Sequence, residues 1–161
     1  YLNGKVGNRV LVTFLDPRTG KKADEYIKLI SQSSESALLY RRWVAQRAEM
    51  VKKWSNDKIA YIHIEGMDSR SFRQTYKDLL GKYRHCDAVV IDTRFNGGGW
   101  LHEDLVILLT GKEYGRFTPR GRYIGSDPFA QWTKPSAVLM GEGNYSNAHG
   151  FPVVYLSLIH I

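Results

Sequence analysis

The stretch that decides the fold reads AVVID at residues 88–92 and continues as TRFNGGG at residues 93–99. Its first part is a continuous apolar run closed by an acid, which is typical of a strand in a sheet that is covered on both faces. The three glycines interrupt that pattern, and leucines at helical spacing follow within residues 101–109. We therefore predict a strand, a tight turn and a helix in succession.

The flanking sequence repeats this alternation of strand and helix. Residues 59–64, IAYIHI, predict a strand, and an apolar helical stripe follows within residues 72–83. Residues 111–135 are rich in glycine and proline and predict a long irregular excursion, after which residues 137–140, AVLM, predict another strand. A β-α-β-α-loop-β order is typical of a largely parallel α/β core.

The first third of the chain has a different pattern. Residues 8–15 and 23–30 are β-like runs separated by DPRTG at residues 16–20, which together predict a β-hairpin. Ser34 is followed by an acid and marks a helix start, and aromatic and apolar residues recur at near-helical spacing as far as Trp54. This part is predicted to be a hairpin followed by an amphipathic linking helix.

Composition and charge exclude several classes of protein. The 161 residues contain 23 Lys and Arg against 16 Asp and Glu, a net charge of +7, but the basic residues are scattered and form no tract that predicts nucleic-acid binding. The longest apolar run, residues 105–109, is far too short to span a membrane. The single cysteine, Cys86, excludes an internal disulfide and is expected to be a small buried apolar residue. We predict no cysteine-based zinc site, no other metal and no cofactor.

The glycine turn, residues 93–99, can bind an anion. It lies between a buried strand and a helix, where backbone N–H groups are free to bind a phosphate, a carboxylate or the oxyanion of an acyl-transfer intermediate. It lacks the spacing of a dinucleotide fold or a P-loop, and a plain tight turn explains it equally well. Asp92 and Arg94 are expected to pair with neighbours that fix the loop.

A second turn, the serine turn, reads GEGNYSNAHGFP at residues 141–152 and likewise follows a predicted strand. It would present Ser146 at the carboxyl edge of the sheet, next to a helix start, with the Asn147 N–H available to an oxyanion. The alternative is that Ser146 only caps the helix. Neighbouring parallel strands end at the same edge, so the two turns are expected to face one cleft.

Three motifs resemble the core domain of the tricorn and tail-specific (C-terminal-processing) serine proteases, and the tricorn-type branch most closely. They are YIHI at residues 61–64, VIDTRFNGGG at residues 90–99 and YSNAHGFP at residues 145–152. The resemblance implies a partial α/β core of the ClpP/crotonase-like fold across residues 58–155.

The same resemblance implies the domain organisation. Residues 1–31 would be the C-terminal part of a PDZ-like domain, and residues 32–57 a linking helix. We expect the 161 residues to be a fragment of a longer protein. The last six, LSLIHI at residues 156–161, match the in-frame translation of a sequencing-library transposon end and are expected to be non-native.

When the family's motifs are matched to this sequence residue by residue, the resemblance implies that Ser146 is the nucleophile. It also implies that the backbone N–H groups of Gly98 and Asn147 are the oxyanion donors, with Gly97 a weaker candidate. Family members often have Asp where this chain has Asn147, a change that keeps the N–H. Tricorn-type enzymes take their general-base histidine from upstream of the PDZ domain and a further acid from downstream of the serine. Both would therefore lie outside this sequence.

The histidines of this chain are assigned other roles. His149 shares the serine turn, but a helical neighbour is poorly placed to reach the serine hydroxyl. His63 is expected to be packed in a strand, His102 to begin a helix and His85 to lie on the surface. His160 belongs to the suspect tail.

The function implied is that of a serine endopeptidase acting on peptides or unfolded proteins, with a PDZ part that binds an extended peptide. We expect the 161-residue chain alone to be inactive, and a homo-oligomer is left open. Two alternatives remain: a non-catalytic PDZ-containing peptide-binding or scaffold protein, and a crotonase-type acyl-CoA enzyme. The compartment, cytoplasm or bacterial periplasm, is not decided by the sequence.

Overall fold

The computed structural model describes residues 2–159, and the chain divides into two compact units, Tyr1–Trp43 and Val44–Ile161. The strands are β1 (Arg9–Leu15), β2 (Lys22–Lys28), β3 (Ile59–His63), β4 (Ala88–Asp92), β5 (Gly115–Phe117), β6 (Gly125–Asp127) and β7 (Ser136–Leu139). The α-helices are α1 (Gln32–Trp54), α2 (Ser69–Lys77), α3 (His102–Leu109) and α4 (Asn147–Ile159).

The first unit contains the predicted hairpin. Strands β1 and β2 pair antiparallel, with Arg9 opposite Lys28 and Leu15 opposite Lys22. The turn between them follows the predicted chemistry, because the Asp16 carboxylate accepts hydrogen bonds from the Arg18 N–H and the Thr19 hydroxyl. The assignment of residues 1–31 to a PDZ-like domain stays a prediction.

Helix α1 begins at Gln32, two residues before the predicted start at Ser34. The Ser31 hydroxyl explains the difference, since it accepts the Ser34 N–H at 3.2 Å and so acts as the N-terminal cap. The helix ends at Trp54, as the apolar spacing predicts.

A three-stranded parallel sheet forms the centre of the second unit. The strand order is β3-β4-β7, with Ile59 opposite Ala88 and Asp92 opposite Leu139. The predicted parallel α/β arrangement is therefore confirmed. All three strands run in the same direction, so the turns that follow β4 and β7 leave the sheet at one edge.

Helices α2, α3 and α4 supply the apolar side chains that cover this sheet. Helix α2 is capped by Asp68, whose carboxylate accepts the Ser71 N–H at 2.7 Å, and it continues into a π-helical turn at Asp78–Lys82. The largest fully buried apolar side chains are Phe151, Ile64, Met67, Leu79, Ile91, Leu105, Leu108 and Val89. They come from the predicted strands over residues 59–64 and 88–92, from the segments that follow these strands and from α4, whereas β7 contributes none of them.

The prediction of an irregular excursion over residues 111–135 is wrong in one part. Strands β5 and β6 form a short antiparallel hairpin, with Gly115 opposite Asp127 and Phe117 opposite Gly125. A 3₁₀ turn at Pro119–Gly121 lies between them. Strands of three residues are too short to show the alternation by which a strand is detected in a sequence.

Helix α4 includes Leu156–Ile159, four of the six residues expected to be non-native, and His160 and Ile161 lie outside the described residues. Helical geometry does not test that expectation, which stays a prediction. Within residues 2–159, no helix combines the length and the apolar character needed to cross a membrane.

Candidate active site

The glycine turn and the serine turn meet at the carboxyl edge of the sheet. The Tyr145 N–H donates to the Asn96 carbonyl at 3.1 Å, which joins the two turns directly. A Cβ added to Gly98 would lie 2.7 Å from the Ser146 Cβ and 2.8 Å from the Tyr145 carbonyl oxygen. Gly98 has a φ of +92°, so both its conformation and this close approach exclude a side chain there.

An ion pair anchors the glycine turn to the sheet. The fully buried Asp92 carboxylate accepts hydrogen bonds from Arg94 Nε at 2.9 Å and Nη2 at 2.5 Å, and from the Tyr61 hydroxyl at 2.6 Å. The predicted pairing of Asp92 with Arg94 is therefore observed. Burial alone would raise the pKa of Asp92, but the Arg94 and Tyr61 hydrogen bonds hold it below the ordinary value.

The buried side chain of Asn96 shapes the turn from inside. Its Nδ2 donates to the Ile64 carbonyl at 2.9 Å, and its Oδ1 accepts the Gly98 N–H at 2.8 Å. The predicted oxyanion donor of this turn is thus engaged with Asn96. Among residues 2–159, the N–H groups of Gly97 and Gly99 have no hydrogen-bond partner.

Ser146 occupies a strained position at the tip of the serine turn. Its φ is +52°, a left-handed conformation that a serine adopts only when its surroundings impose it. Helix α4 begins at the next residue, and the Ser146 carbonyl accepts the His149 and Gly150 N–H groups. The Ser146 side chain is exposed, and its hydroxyl caps no N–H of α4 and bonds to no other residue within the described range.

The turn that carries Ser146 is braced by Asn144, whose side chain is 8% exposed. The Asn144 Nδ2 donates to the Thr93 hydroxyl at 2.9 Å and to the Ala148 carbonyl at 3.1 Å, while its Oδ1 accepts the Gly141 N–H. One amide therefore ties the serine turn to the end of β4 and to the first turn of α4.

Asn147 has two separate roles in this geometry. Its backbone N–H, at the start of α4, donates to nothing within residues 2–159 and so is free for a ligand. Its side-chain Oδ1 accepts the N–H groups of Leu101 and His102 at 2.9 and 3.0 Å, and its Nδ2 donates to His102 Nδ1 at 2.7 Å. We call this three-bond contact the Asn147–His102 clamp.

The clamp provides the N-terminal cap that helix α3 lacks. The residue at the helix N-cap is Leu101, whose side chain cannot accept the free N–H groups, and Asn147 accepts them from 45 to 46 residues away. The serine turn and the helix after the glycine turn are therefore locked to each other. The sequence analysis did not predict this role of Asn147. Its one indication in the sequence is that Leu101, the residue before His102, has no side chain that can cap a helix.

The remaining histidines lie as expected. Half-buried His63 donates from Nε2 to the Arg94 carbonyl at 3.0 Å, and burial lowers its pKa. His102 begins α3, and exposed His85 lies 3.5 Å from the Asp57 carboxylate. Of the described histidines, none forms a hydrogen bond with the Ser146 hydroxyl, and His149 contacts Ser146 through its backbone N–H.

Comparisons with known proteins agree with this geometry. Residues 58–156 match the family model described as Peptidase family S41. The "Tricorn protease homolog" of Saccharolobus solfataricus is 33% identical over 78% of this chain, and the "Tricorn protease" of Thermoplasma acidophilum is 28% identical over 74% of it. The chain spans 11% of the length of each of these two relatives.

A solved structure shows the same fold. The chain titled "Crystal structure of the tricorn protease" superimposes with a TM-score of 0.78 at 24% identity, over 98% of this chain and 15% of the other. The expected resemblance to the tricorn-type branch and the expected α/β fold are both confirmed. This chain belongs to peptidase family S41.

Proposed function

We propose that residues 58–155 form part of the catalytic core of a serine peptidase, in which Ser146 is the nucleophile. The observation that carries the proposal is the geometry of the serine turn. Ser146 has a φ of +52° and packs against the glycine turn, and within residues 2–159 neither its exposed hydroxyl nor the neighbouring Asn147 N–H has a hydrogen-bond partner. Strain of this kind is characteristic of residues that a fold holds in place for chemistry.

In this mechanism the Ser146 hydroxyl oxygen attacks a peptide carbonyl while a base removes its proton. The carbonyl oxygen becomes an oxyanion, which the backbone N–H groups of Asn147 and Gly98 stabilise. The amine leaves with the proton, and water then hydrolyses the acyl-enzyme by the same steps. The Gly98 N–H would be shared between the oxyanion and Asn96 Oδ1. The Gly97 and Gly99 N–H groups, which have no partner within residues 2–159, are the competing donors in this turn.

The general base is proposed to be a histidine outside the 161 residues. The contacts of the four described histidines support this, because His63, His85 and His102 each bond to another residue and His149 makes no side-chain bond to the serine. A serine hydroxyl without a base is a poor nucleophile at neutral pH. The 161-residue chain alone is therefore expected to cleave no peptide.

The proposed substrates are peptides or unfolded proteins, and the word protease in the names of the tricorn relatives supports a substrate with peptide bonds. The proposal assigns residues 1–31 to a PDZ-like domain that binds an extended peptide by β-strand addition. No cofactor and no nucleic acid enter the mechanism, and a homo-oligomeric state is left open.

The test uses the longer protein that carries these residues. A fluorophosphonate probe should label Ser146, and Ser146→Ala should abolish both labelling and turnover, by about 10⁶ in kcat on the scale of a comparable triad enzyme. Ser69→Ala, at an exposed serine that begins α2, is the matched control and should change neither.

The other outcomes overturn the proposal in distinct ways. Failure of the probe to label the folded, longer protein contradicts a Ser146 nucleophile. Peptide binding with neither labelling of Ser146 nor turnover points to the non-catalytic peptide-binding protein. Coenzyme A binding with no reaction of Ser146 points to the crotonase-type acyl-CoA enzyme.

A further inference from the structure

A group of three side chains outside the candidate active site has donor atoms suited to a metal ion. Asp57, His85 and Cys86 each present one such atom, and these atoms lie within 4.8 Å of one another. His85 Nε2 is 3.5 Å from Asp57 Oδ2 and 3.6 Å from Cys86 Sγ. Carboxylate oxygen, imidazole nitrogen and thiolate sulfur are three ligand types that zinc accepts together.

Two of the three distances between donor atoms, those that involve His85 Nε2, match the distances that tetrahedral zinc requires. Bond lengths of about 2.3 Å to sulfur and about 2.0–2.1 Å to nitrogen and oxygen place the S···N and N···O pairs about 3.6 and 3.4 Å apart. The side chains of His85 and Asp57 are 57% and 49% exposed, so small rotations can bring them to ideal geometry. The Cys86 sulfur is already fixed, because this residue is 1% exposed.

The backbone holds the two segments in position without a metal. The Asp57 N–H donates to the Lys52 carbonyl at 2.8 Å, and the Cys86 N–H donates to the Tyr83 carbonyl at 2.9 Å. Lys134 Nζ donates to the carbonyls of Arg84 and Cys86, both at 2.6 Å. Such outer contacts orient ligands before the ion binds and raise its affinity.

Solvent can reach Asp57 and His85, whereas Cys86 is almost fully buried. Asp57 and His85 line a cavity of about 300 Å³, which would admit the ion and supply a water as its fourth ligand. Lys52 and Lys82 also line this cavity. A Zn²⁺ ion bound by one thiolate and one carboxylate carries no net charge, so these lysines do not oppose the bound state as a whole.

From these contacts we infer that Asp57, His85 and Cys86 form a tetrahedral zinc site with water as the fourth ligand. On binding, the sulfur–hydrogen bond of Cys86 breaks, a sulfur–zinc bond forms and the proton passes to solvent. Burial raises the pKa of the Cys86 thiol, so the ion must displace a tightly held proton. The sequence spacing hides the site, because Asp57 and Cys86 lie 29 residues apart.

The experiment uses the 161-residue chain itself, reduced and free of metal, titrated with Co²⁺ as a spectroscopic substitute for zinc. Cys86 is the single cysteine, so a sulfur-to-cobalt charge-transfer band reports this site alone. We expect one equivalent of Co²⁺ to produce that band, with visible bands of tetrahedral intensity, and Zn²⁺ to abolish both. Zinc should also slow the reaction of Cys86 with a thiol reagent.

Variants separate a three-ligand site from simple binding by a thiolate. His85→Gln and Asp57→Asn change exposed side chains and should each weaken the metal affinity by at least about tenfold, whereas Asp87→Asn, at a neighbouring exposed acid, should leave it unchanged. Cys86→Ser should remove the charge-transfer band. The inference is overturned if no band forms at stoichiometric cobalt, or if His85→Gln and Asp57→Asn bind as tightly as the parent.

Discussion

The two turns at the edge of the sheet differ in what their side chains bond to. In the glycine turn, Asp92 pairs with Arg94, and Asn96 bonds to the Ile64 carbonyl and the Gly98 N–H, so side chains brace the turn from inside. In the serine turn, Asn144 bonds to Thr93 and Ala148 on either side of Ser146, which has a φ of +52°, and the Ser146 hydroxyl and the Asn147 N–H have no partner within the described chain. The glycine turn is therefore a rigid support, and in the proposed mechanism it contributes the Gly98 N–H while the serine turn contributes the Ser146 hydroxyl and the Asn147 N–H.

The largest effect on stability is expected from Gly99→Ala, because the glycine turn has no space for an added methyl group at this position. A Cβ on Gly99 would lie 2.1 Å from the Met67 carbonyl oxygen, on a residue with a φ of +135°. We expect a loss of about 3 kcal/mol or more in the free energy of unfolding, measured by urea denaturation. Gly97→Ala is the control, since its Cβ meets open space and should change stability by at most about 0.5–1 kcal/mol. Equal effects of the two variants would refute the rigid-support interpretation.

The second prediction concerns the Asn147–His102 clamp and requires the active, longer protein. Asn147→Leu keeps the backbone N–H but removes the three side-chain hydrogen bonds, so the oxyanion donor loses its alignment. We expect kcat to fall about 10²-fold with little change in KM, because the oxyanion exists only after attack.

A helix cap is also lost in Asn147→Leu, which costs about 1 kcal/mol in stability, so turnover is compared well below the melting temperature. Asn147→Asp retains an acceptor for the Leu101 and His102 N–H groups and should recover most of kcat. If Asn147→Leu raises KM and leaves kcat intact, the clamp has no part in catalysis.

The third prediction concerns how the stability contributed by the Asp92–Arg94 ion pair of the glycine turn changes with pH. The Asp92 pKa lies below its ordinary value, so the ion pair stabilises the fold above about pH 4 and that contribution is lost as pH falls through the folded-state pKa. Arg94→Met should lower the free energy of unfolding by about 2 kcal/mol at pH 7. This loss is smaller than that for a fully buried ion pair, because the Arg94 side chain is 35% exposed.

Without its guanidinium partner, buried Asp92 should protonate at a higher pH than in the parent. The urea midpoint of Arg94→Met should therefore approach that of the parent as the pH is lowered from 7 to 4. A constant difference between the two proteins across this range would contradict the assignment. Arg73→Ala, at an exposed position of α2, serves as the control.

The smallest effect is expected from His149→Gln in the active protein. His149 lies in the first turn of α4 and contacts Ser146 through its backbone N–H, which the variant retains. Turnover should stay within about twofold to threefold of the parent, the range of a change that disturbs no buried contact. A folded but inactive His149→Gln protein would instead identify His149 as the base.

Sequence reasoning predicted the parts of this molecule that hydrophobic pattern controls. Strand β4 was predicted to the residue, because AVVID is a continuous apolar run closed by an acid, and the meeting of the two turns followed from the parallel order of the strands. The amide contacts of Asn96, Asn144 and Asn147 were not predicted, because asparagine in a turn is common whatever its side chain bonds to. Two of these asparagines act on residues more than 40 positions away, a distance at which sequence pattern carries no signal.

The most direct test of the account is the structure of a covalent adduct of the longer protein with a peptide boronate, which mimics the tetrahedral intermediate. The account predicts a boron–oxygen bond to Ser146 Oγ and a second boronate oxygen about 2.7–3.1 Å from the backbone nitrogens of Asn147 and Gly98. A boronate oxygen bound by the backbone N–H groups of Asn147 and Gly99 would identify Gly99, instead of Gly98, as the second oxyanion donor. Ser146 would remain the nucleophile. An adduct on another residue, or an oxygen that faces away from the Asn147 N–H, would contradict the account.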